Sequence, residues 1–422
     1  MLTGIKSALS WFVFLPAPVM MVVIFTVINL ALRMKFGKAF RSALLYGIGL
    51  FGLLQFTGIF ESTVSPLSEA LVTSRGIQMT AIDYGIGIVG VLLSNPSITL
   101  IIPIGVAFNL ILLALGWTKT LDLDIFNIMI FWGAPFILVL IDTESWLLAI
   151  LAGLLTGFLT LKLADWSAPR IHKVFPQYEG LSFPHLNAVF WTPFALWFNK
   201  LFDAIPGVRD WNLDAKTIKE KLGVVGEPSF IGLMLGCALA AIAGKGLNEI
   251  LVAGVSLGAA IHFIPQMIRV LIEGLNATSI VMMDWMKKRF PDREIFIGLD
   301  AVLTVGHTET LAVGLLLVPL WLLLGIVLPG NRTLPFGMLA TAYITVCLVM
   351  PFFKMNVIRG TVMGVIIFAI NLYLASMAAP YYTAVASAGS LPLGASEVTI
   401  ACCPIWAIAV PVFRFIAKLF GI

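Results

Sequence analysis

The strongest constraint on this chain is a set of uncharged apolar runs that are each long enough to cross a lipid bilayer. Residues 11–32, 125–141 and 311–328 approach or reach the roughly 20 apolar residues that a helix needs to span the hydrocarbon layer. A transmembrane barrel would instead need alternating polar and apolar residues, and the leucines at 315–317 break that alternation. The sequence therefore predicts an all-α integral membrane protein.

The composition favours one polytopic membrane domain over residues 1–422. Hydrophobic residues make up 60% of the chain and charged residues 11%, whereas about a quarter of the residues in soluble domains are charged. Because the first apolar run lacks a small-residue cleavage signature, we interpret it as an anchor rather than a cleaved signal. Ten runs are predicted to be spanning helices: 11–32, 42–60, 98–117, 125–141, 145–163, 229–243, 250–264, 311–328, 336–353 and 357–376.

Basic residues mark the predicted cytoplasmic side of the protein. Four of them lie at positions 33–41 with no acidic residue among them, and positive charge favours the cytoplasmic ends of spans. An ordinary solvated charge run is the alternative interpretation. A polar region over residues 162–223 is likewise expected to have cytoplasmic flanks. The amphipathic run 267–286 precedes another basic cluster, and we expect it to lie in the bilayer interface.

Three apolar segments do not resemble ordinary spans. Residues 79–94 and 295–310 are short and contain several glycines, and residues 181–202 are interrupted by Pro184 and Pro193. Such segments are typical of re-entrant hairpins and broken helices, which occur at membrane depth where protein or a cavity satisfies the backbone. These segments are therefore the predicted location of a binding site.

An internal repeat is predicted over residues 79–142 and 296–353. Each copy begins with a short segment that ends in an aspartate, Asp83 or Asp300, and continues through a polar tip, a long span and a Thr-Leu pair. Corresponding interrupted segments in the two halves of a transporter point to its binding site. Chance similarity between apolar segments is the alternative. The number of crossings between the copies does not follow from the sequence, so inversion of the repeats is an expectation.

Polar residues in these segments are the predicted ligand-binding groups. A carboxylate that faces lipid costs about 3 kcal/mol, so these groups are expected to face protein or water. Backbone contacts at a helix start could also explain His185, helix capping could explain Glu227, and an exposed turn could explain the polar tips. The predicted substrate-binding residues are His185, Asn187, Glu227, Asp83, Asn95, Asp300, His307 and Thr308.

Several classes of chemistry lack their motifs in this sequence. There is no Walker A motif, no HExxH and no CxxC, and the GxGxxG strings at 47–52 and 85–90 follow no predicted strand. Cys237, Cys347, Cys402 and Cys403 lie in apolar runs without metal-ligand spacing, so we interpret them as small core residues. The sequence therefore predicts neither a metal site nor a cofactor, and it predicts no chemistry that would energise transport by ATP.

Six short strings carry a resemblance that extends over nearly the whole chain. They are KFGKAFR at 35–41, TKTLD at 118–122, TLKLADWSAP at 160–169, LSFPH at 181–185, NKLFDAIPG at 199–207 and GVVGEP at 223–228. In this order and spacing they resemble the galactitol-specific enzyme IIC permeases of the bacterial phosphoenolpyruvate-dependent sugar phosphotransferase system. Val225 departs from the aromatic residue expected before the Gly-Glu-Pro motif, a change that affects packing more than chemistry.

The resemblance implies a transport subunit, not an enzyme, in the bacterial inner membrane. It would bind galactitol or a similar polyol outside the cell and release the phosphate ester inside. A separate IIB subunit would carry the phosphoryl group on a cysteine after transfer from IIA, and no nucleic acid partner is implied. The related ascorbate permeases imply a homodimer whose core moves like an elevator against a scaffold. His185 and Glu227 match motif positions, and either is a candidate general base at the accepting hydroxyl.

Two other functions remain open from the sequence. A cation-coupled secondary transporter would use the same buried carboxylates as proton or sodium ligands. A membrane enzyme that acts on lipid would use His185 and Glu227 as an acid–base pair, although no nucleophile or metal motif accompanies them. Transport that depends on the phosphotransferase proteins would separate the permease from both alternatives.

Overall fold

The structure is a computed structural model that describes most of the chain. The described residues are 15–74, 80–83, 97–124, 127–207, 228–289, 293–335, 342–388 and 397–420, with the single positions 85, 88, 91, 92 and 95. They are mostly helical, as predicted. In this part of the chain, four helices are long and apolar enough to cross a membrane: Phe36–Phe56, Trp146–His172, Thr308–Val327 and Val357–Ala388.

The described residues form thirteen α-helices, several of which are interrupted or short. In chain order they are α1 Ala17–Ala31, α2 Phe36–Ser74, α3 Ile98–Ala114, α4 Gly133–Thr143, α5 Trp146–His172, α6 Leu186–Val189, α7 Thr192–Ala204, α8 Pro228–Ile242, α9 Leu247–Arg289, α10 Thr308–Val327, α11 Ala342–Val346, α12 Val357–Ala388 and α13 Ala409–Phe420.

Helices α1, α2, α8 and α9 pack together as a four-helix group. Helices α2 and α9 run antiparallel at close range because glycines face backbone across the interface. A Cβ at Gly274 would lie 2.3 Å from the backbone nitrogen of Tyr46, and one at Gly49 would lie 2.5 Å from that of Leu271. The Ser42 hydroxyl also donates to the Gly274 carbonyl. Small residues of this kind allow membrane helices to approach closely.

The remaining elements form a strand-bearing group with two small parallel sheets. Sheet I has the order β5-β1-β6, and sheet II has the order β2-β4-β3. Each strand has only two or three residues, so the paired backbone in each sheet is short. The strands are β1 Ala81–Asp83, β2 Thr120–Asp122, β3 Leu181–Ser182, β4 Phe296–Gly298, β5 Thr333–Leu334 and β6 Glu397–Thr399.

The two sheets have the same topology with the two halves of the chain exchanged. Replacing β5 by β2, β1 by β4 and β6 by β3 converts the order of sheet I into that of sheet II. The registers agree as well, because Ala81 pairs with Thr333 in sheet I while Phe296 pairs with Thr120 in sheet II. In each sheet, the central strand comes from one half of the chain and both flanking strands come from the other half.

The structure corrects several details of the sequence interpretation. The all-α prediction is incomplete, since the structure also contains six strands. They are too short to produce a periodic pattern in the sequence. The predicted span 250–264 and the run 267–286 form one continuous helix, α9. The predicted span 125–141 contains a π-helical turn, Ile128–Trp132, before α4.

The region of the predicted span 336–353 also differs from a plain helix. Residues 336–341 lie outside the described part of the chain, and the remainder forms the short helix α11 followed by a 3₁₀ turn, Met350–Phe353. Proline at position 351 has no backbone N–H to donate, which favours a helix end or a tight turn. The apolar composition here reflects burial inside the protein, since all four residues of the 3₁₀ turn are buried.

Candidate functional site

The candidate site lies where segments leaving the two sheets meet. Strand β3 ends at Ser182 and leads to His185, while β6 ends at Thr399 and leads to Cys403. The side-chain amide of Asn187, in α6, donates to the Cys403 thiol with an N–S distance of 2.6 Å. The carboxyl ends of parallel strands are a common position for binding groups in proteins. Here the carboxyl ends of two separate sheets contribute to one site.

His185 and Asp300 form the central polar pair of this site. The imidazole Nε2 of His185 lies 4.0 Å from Oδ1 of Asp300. The same Asp300 oxygen accepts a hydrogen bond from the backbone N–H of Val302 at 2.9 Å, which fixes the carboxylate at the start of a 3₁₀ turn.

Two further carboxylates, which the sequence analysis did not select, lie beside Asp300. Asp122 ends β2 and Asp124 follows it, and both residues are buried. The charges of Asp124 and Asp300 act on the Asp122 carboxyl group. The same two charges also act on the hydroxyl group of Tyr46 in α2. The available signal was the Asp-Leu-Asp triplet that follows a Thr-Leu pair, but its buried position depends on the pairing of β2 with β4.

Asp83 holds the segment that follows β6. Oδ1 of Asp83 accepts hydrogen bonds from the backbone N–H groups of Gly85 at 3.0 Å and Ala401 at 3.1 Å. The carbonyl of Cys403 accepts a hydrogen bond from the Tyr382 hydroxyl at 2.8 Å. Asp83 therefore shapes the backbone next to the site.

Aromatic rings form an apolar wall next to His185. The ring of Phe131 lies 4.3 Å from the imidazole of His185, and it also contacts Trp406 at 6.1 Å between centroids. Phe131 belongs to the π-helical turn, and Trp406 belongs to the 3₁₀ turn Pro404–Ile408. Aromatic faces next to hydrogen-bonding groups are common in pockets for small molecules.

The remaining predicted site residues make other contacts or lie outside the described part of the chain. Oδ1 of Asn95 accepts a hydrogen bond from the backbone N–H of Ser97, just before α3. His307 stacks on Phe175 with ring centroids 3.8 Å apart, and Thr308 is exposed at the start of α10. No hydrogen bond, ion pair or ring contact joins these three residues to His185 in the described structure. Glu227 is outside the described residues.

Buried polar atoms at the site are left available for a ligand. Nδ1 of His185, Oδ1 of Asn187 and Nε1 of Trp406 are buried, and no other described residue forms a hydrogen bond with them. Buried polar groups are nearly always satisfied, so such atoms need an explanation. A polyhydroxylated ligand would supply both donors and acceptors. Among the described residues, no group of three or more His, Cys, Asp or Glu is arranged to hold a metal ion.

Long apolar helices together with a buried polar cluster are typical of a membrane transport protein. Residues 12–393 match the model of the PTS system sugar-specific permease component family. The chain belongs to this family of transport subunits, and it is a membrane protein. The resemblance inferred from the short strings is therefore confirmed.

Two relatives from Escherichia coli (strain K12) extend over most of the chain. The chain is 30% identical over 380 residues to the PTS system galactitol-specific EIIC component, covering 89% of this chain and 83% of the relative. It is also 30% identical over 381 residues to a putative permease IIC component, covering 90% of this chain and 86% of the relative. The family match at 12–393 includes His185, Asn187 and Asp300, whereas β6 and Cys403 follow it in the chain.

Proposed function

We propose that this chain binds galactitol or a similar polyol and carries it across the bacterial inner membrane as a multi-pass permease. The observation that carries the proposal is the His185–Asp300 pair, which lies beside buried polar atoms that lack partners in the described structure. The galactitol-specific relative supports the choice of a polyol. A separate IIB subunit, charged by IIA, would phosphorylate the polyol.

The chemistry of the site fits a neutral ligand with several hydroxyl groups. A polyol loses hydrogen bonds to water when it enters a buried site, and each lost bond must be replaced by the protein. Asp300 offers carboxylate oxygens as acceptors, while His185 and Asn187 offer both donors and acceptors. The ring of Phe131 can cover the carbon chain of the polyol. Together these groups match a hexitol, whose carbon chain carries a hydroxyl on every carbon.

We further propose that residues 79–142 and 296–353 belong to two inverted repeats. The exchange of the two chain halves between sheets I and II supports this arrangement. The register relates Ala81 to Phe296, whereas the sequence match of Asp83 with Asp300 would relate Met79 to Phe296. The strand register therefore favours an alignment shifted by two residues, which keeps each side chain on the same face of its strand.

The division into two groups supports movement of one group against the other. The strand-bearing group contains the candidate site, and the four-helix group contacts it through α8 against α10 and through α9 against the 3₁₀ turn Ala301–Thr304. In this proposal the four-helix group is the scaffold and the strand-bearing group is the moving core. A homodimer, in which the scaffolds pair, would hold the scaffold still in the bilayer.

The phosphoryl transfer step assigns a role to a general base next to the polyol. The accepting hydroxyl must lose its proton as the phosphoryl group arrives from the IIB cysteine. His185 fits this role because its imidazole has a nitrogen without a hydrogen-bond partner among the described residues. Glu227 remains the second candidate from the motif resemblance, and Glu227→Gln should lower galactitol binding or phosphorylation if it belongs to the site.

The decisive experiment uses inverted membrane vesicles that contain this chain. Labelled galactitol, phosphoenolpyruvate and the soluble phosphotransferase proteins are supplied, and IIB is then omitted. We expect labelled galactitol phosphate that requires both IIB and this chain. Unaltered galactitol, or phosphate ester that forms without this chain, would reject the proposal.

A cation-coupled transporter is the second candidate, favoured by one observation. The charges of Asp124 and Asp300 both act on the Asp122 carboxyl group, and buried carboxylates of this kind carry protons in secondary transporters. Uptake of free galactitol without phosphotransferase proteins, and its collapse with an ionophore, would favour this function. Uptake that needs IIB and resists the ionophore would exclude it.

A further inference from the structure

The segment Ala401 to Cys403 forms the side of the candidate site that faces α6. Its two adjacent thiols lie 3.1 Å apart, and the Cys403 thiol accepts the hydrogen bond from Asn187. The backbone on both sides of this contact is fixed, because Asp83 holds the N–H of Ala401 and Tyr382 holds the carbonyl of Cys403. A rigid backbone therefore presents the thiols to the site.

The strand registers give this segment a position equivalent to that of His185. Ser182 pairs with Gly298 in sheet II, and Thr399 pairs with Asp83 in sheet I. His185 is the third residue after Ser182, and Cys402 is the third residue after Thr399. His185 and Cys402 therefore hold equivalent positions after β3 and β6, and Cys403 is the next residue along the chain.

Asn187 uses only part of its hydrogen-bonding capacity in its contact with Cys403. The residue is 8% exposed, its amide nitrogen donates to sulfur, and its buried carbonyl oxygen has no hydrogen-bond partner among the described residues. Sulfur is a weak acceptor compared with a hydroxyl oxygen. A polyol hydroxyl could therefore accept the Asn187 N–H in place of sulfur, while a second hydroxyl donates to the Asn187 oxygen.

We propose that the Cys403 thiol is a specificity-determining contact that occupies the Asn187 amide in the empty site and releases it to a polyol hydroxyl. This inference rests on the proposed function, because it names how the same site recognises its ligand. The thiol keeps a buried donor satisfied while the site is empty. Its weak hydrogen bond allows a hydroxyl to replace it at little cost.

The kinetic test compares two substitutions at one position. Cys403→Ser places a stronger acceptor on Asn187, so we expect the KM for galactitol to rise about five- to tenfold with little change in kcat, the effect of strengthening one competing hydrogen bond. Cys403→Ala removes the competing acceptor, so we expect its KM to fall about two- to fivefold. If the contact only maintains packing, KM should be unchanged in both variants, or both variants should lose activity.

Cys237→Ser is the matched control, because Cys237 lies in α8 of the four-helix group. Its KM should equal that of the unmodified chain. A second measurement follows labelling of Cys403 by a small methanethiosulfonate reagent in a chain whose other three cysteines are serines. Galactitol should slow this labelling at least about threefold, whereas sucrose at the same osmolarity should not.

The outcomes separate the inference from the function on which it rests. If the unmodified chain phosphorylates galactitol with IIB but Cys403→Ser and Cys403→Ala have the same KM, the inference is wrong and the function stands. Labelling that galactitol does not slow would likewise contradict the inference alone. If the unmodified chain forms no galactitol phosphate, both the proposed function and this inference are rejected.

Discussion

Thr120 and Asp165 are joined by a hydrogen bond of 2.8 Å although 45 positions separate them in the chain. The Asp165 carboxylate, on α5, also accepts hydrogen bonds from the Thr118 hydroxyl and from the backbone N–H of Lys119, each at 3.0 Å. The Thr120 hydroxyl lies 2.9 Å from that of Ser182 in β3. One carboxylate therefore fixes β2 on α5, and Thr120 extends this fixation to β3.

Replacing Asp165 with alanine should destabilise the protein strongly. The side chain of Asp165 is 8% exposed, so the substitution leaves several polar groups without their partner, at a cost of about 2–4 kcal/mol. Asp165→Asn keeps one acceptor oxygen and should cost less. Thermal unfolding in detergent micelles measures the difference.

Glu294→Gln provides the control for Asp165, because Glu294 forms a largely exposed ion pair with Lys119. Exposed ion pairs contribute about 0–1 kcal/mol, so its unfolding temperature should change little. Equal destabilisation by Asp165→Ala and Glu294→Gln would contradict the assigned role of Asp165.

The second prediction concerns the contact between α5 and the π-helical turn. A Cβ at Gly157 would lie 2.4 Å from the indole ring of Trp132, which is itself fully buried. Gly157→Ala should therefore cost about 1–3 kcal/mol through overpacking. Gly58→Ala in α2 is the matched control, since a Cβ there meets nothing within 4 Å, and it should be neutral or stabilising by up to about 1 kcal/mol. Similar unfolding temperatures for the two variants would contradict this packing.

Asp300→Asn tests the central pair of the candidate site. The asparagine oxygen can still accept the Val302 N–H, so the fold should persist, but the negative charge next to His185 is lost. Hydrogen bonds to a charged group contribute about 1.5–3 kcal/mol. We therefore expect kcat/KM for galactitol phosphorylation to fall about ten- to hundredfold.

Asp142→Asn controls for the loss of a carboxylate outside the site. Asp142 pairs with Arg414 of α13 at the end of α4, so galactitol phosphorylation should be retained. Full activity of Asp300→Asn in the vesicle assay would remove Asp300 from the binding groups.

The ends of α5 should be exposed on opposite sides of the membrane. The helix has 27 residues, which corresponds to about 40 Å at 1.5 Å per residue. Glu144 precedes it and Lys173 follows it in the predicted cytoplasmic region. In a chain without its native cysteines, Glu144→Cys should react with an impermeant maleimide on whole cells, and Lys173→Cys should react only after permeabilisation. The reverse pattern would invert the predicted orientation.

Much of the fold follows from the sequence because apolar length dominates helix formation in a membrane. The helix α5 starts within one residue of the predicted start at 145, and α12 starts at the predicted residue 357. The strands could not be predicted, since two or three residues produce no periodicity. Their pairing also joins distant parts of the chain, such as β1 and β6.

The candidate site was predicted only in part, for the same reason. His185, Asn187, Asp83 and Asp300 were selected as polar residues in interrupted apolar segments, and the structure brings them or their backbone neighbours to the site. Asp122 and Cys403 were not selected, because an aspartate near a loop and a cysteine in an apolar run carry no local signal. Their proximity depends on long-range contacts, such as the one between Asn187 and Cys403.

The exchange of chain halves between the two sheets also constrains biosynthesis. Strand β1 emerges from the ribosome about 250 residues before β5, its partner in sheet I, which at roughly 5–20 residues per second is a delay of about 13–50 s. During that time β1 has neither of its flanking strands. Neither half of the chain can complete a sheet alone, so the halves should assemble into a functional permease only when both are present in the same membrane.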